Sequence, residues 1–149
     1  MGKLIETWET TNKTFKVRVN KYAEESGGFV AGAYYAFEST RVVSDKWKEF
    51  MIIHHDDPDP IPHEQVRFVN DQVGYVFMVY KYAVTTDSGD TWALWDIVKD
   101  LPDWQRSRAA IKEVQIAPDG SGKMILTPFT NQPAPELHTK DYGRHWSVE

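Results

Sequence analysis

The chain has 149 residues, no cysteine and a formal net charge of -5, with 41% hydrophobic and 13% aromatic residues. This length suits one domain able to bury a core without staples, and the aromatic content leans toward strands. The missing cysteines exclude a disulfide framework, a cysteine-based zinc site and thiol catalysis. A negative chain with no basic run argues against nucleic acid or an anionic membrane as partner.

The opening stretch "MGKLIETWETT" lacks the apolar centre of a signal peptide. The longest apolar run is far short of a membrane span, so the expected location is the cytoplasm. "TFKVRVN" then alternates, with Phe15, Val17 and Val19 on one face and Lys16 and Arg18 on the other, which predicts a strand. "GGFVAGAYYAF", opened by Gly27 and Gly28, reads as a longer and more buried strand. "WKEFMIIHH", "EQVRFV", "GYVFMVY", "KYAVTT" and "WALWDI" follow as strands. The one helix candidate is 102–110, with Asp103 as its cap. "IKEVQIA" and "KMILT" flank a turn at 118–122, and "ELHTK" and "WSVE" close the series. Two proline-dense loops, 56–62 and 128–136, are expected to be extended and to lie on the surface.

One short pattern occurs twice. "TTDSGDTW" holds Thr85, Asp87, Gly89 and Trp92; "HTKDYGRHW" holds Thr139, Asp141, Gly143 and Trp146. Both fit [S/T]-x-D-x-G-x-x-W, a strong repeat signal in so short a chain. Turn chemistry accounts for every position. The carboxylate accepts loop N–H groups, glycine supplies positive φ, the threonine hydroxyl adds a local bond, and tryptophan covers the turn. A calcium loop would need more oxygen ligands than Asp87, Ser88 and Asp90 provide.

This pattern resembles the Asp-box, the bacterial neuraminidase repeat. The longer stretch "VRFVNDQVGYVF…YAVTTDSGDTW" is similar to repeats of photosystem II assembly and stability factors. A degraded third copy ends at Asp45 and Trp47, with Gly28 and Phe29 as its Gly-aromatic pair. The resemblance implies Asp-box hairpins in a propeller-like sheet, and no particular activity. The expected fold is therefore a single all-β domain over 1–149. It consists of antiparallel hairpins, propeller-like or in a compact twisted sheet or barrel, with at most one short helix. The repeats are placed at 12–47, 48–92 and 93–149. Three blades fall short of the four to eight of a closed propeller, so self-association enters as an expectation.

"HHDDPDPIPHE" supplies the candidate ligand-binding residues His54, His55, Asp57 and His63. Adjacent histidines on a strand point to opposite faces, so the spacing does not build a metal site. No catalytic motif is found, and no metal or cofactor is expected. The leading expectation is a non-catalytic binding or scaffold module whose partner is a protein or a second copy. The alternatives are a carbohydrate-binding module using exposed tyrosines among Tyr34, Tyr35, Tyr75, Tyr80 and Tyr82, and a small metal-dependent enzyme centred on His54, His55 and His63. An exposed aromatic row beside a shallow groove would favour the carbohydrate reading. Two histidines converging with a carboxylate would favour the enzyme.

Overall fold

A computed structural model describes residues 2–26, 29–56, 59–101 and 109–148, without the side chains of 25, 26 and 29–31. The chain is mostly antiparallel β structure in three sheets. The first sheet holds β1 (Lys3–Thr11), β2 (Phe15–Ser26), β3 (Phe29–Arg41) and β4 (Lys48–His55). The second holds β5 (Val66–Phe68), β6 (Gly74–Met78), β7 (Lys81–Thr85) and β8 (Ala93–Asp96). The third holds β9 (Ala109–Ile116), β10 (Gly122–Pro128) and β11 (Leu137–Thr139), with Ser147 bridging to His138 beyond β11. Each sheet is a meander of consecutive strands, the order that short hairpin connections enforce.

The predicted strands map onto these elements, but sheet membership is offset from the repeats by one strand. β4 and β8 follow Trp47 and Trp92, yet complete the first and second sheets. β1 is an addition to the predicted strands: "KLIETWETT" is almost wholly exposed and shows little apolar alternation, so it carries no strand signal. Of the helix candidate, 102–108 lies outside the described residues, as do Gly27 and Gly28. Ala109 and Ala110 belong to β9 and not to a helix. Helical structure among the described residues is limited to a four-residue turn, α1 (Ile97–Asp100), capped by Asp96, and a three-residue 3-10 turn (His63–Gln65). None of the described helices is long and apolar enough to cross a membrane.

The sheets stack face to face. Phe15, Val17, Val19, Tyr35 and Phe37 of the first sheet pack against Val66, Val76, Met78 and Ala83 of the second. The opposite face of the second sheet, with Tyr75, Phe77, Tyr82 and Val84, packs against Ile111, Val114, Met124 and Leu137 of the third. The middle sheet is thus covered on both sides, which is why "GYVFM" is buried throughout and reads as a continuous apolar run. Each fully buried Phe or Val contributes about 1.5–3 kcal/mol. Tyrosines tie the layers: the Tyr75 hydroxyl donates to Val114 O at 3.0 Å and that of Tyr82 to Tyr142 O at 2.7 Å.

Residues 59–62 of the first proline-dense loop depart from expectation. They fold back on the first sheet, where Ile61 enters the core and Asp59 O accepts from the Tyr35 hydroxyl at 2.5 Å. Apolar burial of one isoleucine anchors a segment whose prolines and acids suggested a solvated strip.

Candidate functional site

The two Thr-Asp-Gly-Trp turns have the same geometry. In the first, the Thr85 hydroxyl donates to Asp87 Oδ1 at 2.8 Å and accepts from Gly89 N at 2.9 Å. Asp87 Oδ1 also accepts from Thr91 N at 2.9 Å, and Oδ2 from the Thr91 hydroxyl at 2.6 Å. In the second, Thr139 donates to Asp141 Oδ1 at 2.8 Å and accepts from Gly143 N at 2.8 Å. Asp141 Oδ1 accepts from His145 N at 3.0 Å, and Oδ2 lies 2.6 Å from His145 Nδ1. Ser88 and Tyr142 have φ of 59° and 64°, and their amides donate to Gln72 O in the turn between β5 and β6 and to Gly120 O in the turn between β9 and β10. Glycine follows each, at φ 85° and 84°, where a side chain would be strained.

Both aspartates are engaged by their own turns. Burial, the largest influence on Asp87, raises its pKa, but hydrogen bonds from Thr91 and Thr85 outweigh it and hold the carboxyl below the usual range. Asp141 is lowered in the same way, with burial opposed by bonds from His145 and Thr139. Neither turn leaves a carboxylate oxygen without a partner.

Each turn also grips the sheet before it. Trp92 stacks on Phe50 of β4 at 3.8 Å and donates from Nε1 to Ser39 Oγ at 2.9 Å, while Ser39 Oγ donates to Gly89 O at 2.9 Å. Arg41 reaches Asp90 through Nε at 2.8 Å and Nη2 at 2.6 Å. Trp146 meets Tyr82 edge-on at 5.4 Å and Trp95 of β8 at 6.4 Å. Its Nε1 is buried and has no partner among the described residues.

The structure does not bring the candidate histidines together. His54 and His55 leave β4 on opposite faces. His54 Nδ1 lies 2.5 Å from Glu24, and His55 Nε2 lies 3.3 Å from Asp59. His63 stacks on Trp8 at 4.3 Å. Asp57 lies outside the described residues. No group of three metal-ligating side chains is found among the described residues.

Two surfaces escaped the sequence reading. One is a cleft of about 760 Å³ where the first strands of the three sheets meet. Phe77, Ile61 and Ile125 line it together with Glu6, Lys112 and Arg67, whose guanidinium is already engaged by Glu113, Val114 O and Glu64 O. The other is the face of the first sheet turned away from the second. There Leu4, Tyr22, Tyr34 and His54 stand in register across all four strands. Tyr22 stacks on Tyr34 at 4.8 Å, and His54 lies 5.6 Å from Tyr34. A groove of about 1080 Å³ runs beside this row over Ala36 and Ile52, with Glu24, Glu49 and Lys3 along it. Tyr35, Tyr75 and Tyr82 are core residues instead. Register was the missing signal: single tyrosines are visible in the sequence, but a row across four strands depends on pairing.

The chain matches no family model, no curated protein and no solved structure.

Proposed function

We propose that the chain is a non-catalytic binding module built on Asp-box hairpins, with a protein as its partner and the open face of the first sheet as its contact surface. The observation that carries this reading is the Leu4, Tyr22, Tyr34 and His54 row, which lies on the face away from the stack. Aromatic side chains with polar tips are the residues that dominate protein contact surfaces. The box aspartates support it from the other side. Their oxygens are bound within the turns, so these residues serve architecture and not chemistry.

The row beside its groove also favours a carbohydrate ligand, the second reading. Ring packing weighs against it. Tyr34 lies between Tyr22 and His54, so its faces meet other rings and it offers edges to the groove. Sugar stacking needs an open face.

Placing a photo-crosslinking residue at His54 tests the proposal in cells. Covalent adducts with a polypeptide, lost on Tyr34→Ser, are expected. Adducts to glycans, or binding of soluble oligosaccharides with no polypeptide adduct, would replace it with the carbohydrate reading.

A further inference from the structure

We propose that the open face of the first sheet docks the third sheet of a second copy, so that two chains, each with three sheets, close a ring. This rests on the reading of that face as a protein-binding surface.

The inter-sheet contact repeats in one register. Trp92 lies on Phe50, three residues beyond Trp47; Trp146 lies against Trp95, three residues beyond Trp92. In both cases the tryptophan opens the last strand of its own sheet and leans on the sheet before it. Trp47 holds the same position before β4. It leans onto the open face, where it meets Arg18 at 4.0 Å and Lys16 at 5.5 Å in place of another sheet. A contact whose two sides differ and which repeats along a stack either closes or continues. Three sheets are fewer than the four to eight that close a propeller, and two chains supply a number within that range.

The open face can be covered. Part of its polar half is satisfied internally: Thr7 donates to Asn20 at 2.7 Å, and Asn20 and Arg18 donate to Glu38 at 2.5 and 3.0 Å. Burial would leave these groups paired, and the Thr40 hydroxyl, buried beside them in register with Lys16, has no partner among the described residues to lose. Its other half offers Leu4, Tyr22 and Tyr34. The outward face of the third sheet carries Lys123 and His138, paired in register between β10 and β11. The charge of Lys123 is opposite to that of Glu24 and Glu49, which line the groove together with Lys3.

Sedimentation of the full chain, of Tyr34→Glu, of Lys123→Glu and of their equimolar mixture tests this. The wild type is expected to move from monomer to dimer mass as concentration rises. Each variant alone should remain monomeric, and the mixture should recover a dimer, weaker than wild type, through its one intact contact. Glu49→Arg and His138→Glu replace any variant whose melting temperature shows that it does not fold. A wild type that stays monomeric into the millimolar range overturns the proposal. So does a Lys123→Glu variant that dimerises like wild type, or a mixture that fails to complement. A monomeric wild type that still crosslinks to a foreign polypeptide at His54 removes this inference and leaves the binding module standing.

Discussion

Gly143 sits against the edge of Tyr82 so closely that a Cβ there would stand 2.6 Å from Tyr82 Cζ, and closer still to its hydroxyl. The same hydroxyl donates to the carbonyl of Tyr142, the residue before the glycine. Gly89 is held likewise against the Phe15 ring, with a Cβ 2.9 Å from its edge. The turns are therefore shaped both by positive φ and by the neighbouring sheet. Gly143→Ala should lower stability by about 1–3 kcal/mol from backbone strain alone, with Gly89→Ala losing less because its Cβ would meet Phe15 at 2.9 Å, a less severe overlap than that with Tyr82. Thermal melts that rank the two variants the other way would refute this.

Removing the Asp87 or Asp141 carboxylate should cost about 1–3 kcal/mol, since the amide of Thr91 or His145 loses its acceptor. The pH sign follows from the depressed pKa values of Asp87 and Asp141. A carboxyl that ionises more readily when folded contributes stability that is complete above its unfolded pKa of about 3.9. That contribution fades as pH falls through the lower folded value. Asp87→Asn should flatten the acid limb of a stability-against-pH curve, and an unchanged limb would count against the turn geometry.

The two tryptophans give an internal contrast. Trp92 Nε1 has Ser39 as acceptor, whereas Trp146 Nε1 has none among the described residues. Trp92→Phe should therefore be more destabilising than Trp146→Phe by about 1 kcal/mol, the worth of one hydrogen bond. Chemical denaturation of both variants checks it; equal losses would show that Trp146 has found another partner in solution.

At alkaline pH the buried tyrosines take over. Burial first, then Asp59 and Glu6, pushes the Tyr35 hydroxyl up to about 12, and Tyr82 is raised well above its usual value by burial. A group that holds its proton more tightly when folded gives stability that is complete below its unfolded pKa, about 10. It is lost as pH rises toward the folded value. Phenolate absorbance should show these two rings ionising late and together with unfolding. Early, reversible ionisation of all tyrosines would contradict their burial.

Val79 opens the two-residue connection between β6 and β7 at φ 55°, a region that a β-branched side chain rarely enters. Its carbonyl accepts from Ile111 N at 2.7 Å, which ties this turn to the third sheet. Val79→Gly should be more stable than Val79→Ala, the reverse of the order in an ordinary strand. Melting temperatures that restore the usual order would mean the turn relaxes.

Local chemistry was the legible part. Alternation places Phe15, Val17 and Val19 together, and a period of two separates His54 from His55. The Thr-Asp-Gly-Trp pattern was visible because its bonds close within a few residues. Long-range pairing was hidden. The Tyr22, Tyr34 and His54 row exists only through the registers of β2, β3 and β4. Lys21, charged and buried on the inner face near the Tyr35 ring, carries no local mark of that position. Ile61 was masked by the prolines and acids around it, and β1 by its exposure.

The middle sheet meets both neighbours through one kind of joint, a tryptophan leaning three residues past the previous tryptophan. Its two faces are therefore the two complementary sides of one repeating contact. A gene duplication that inserted a second such sheet would find matching joints on either side, without redesign of the terminal layers. Chain length in such a molecule can grow or shrink by whole sheets, and partial insertions would break the rhythm.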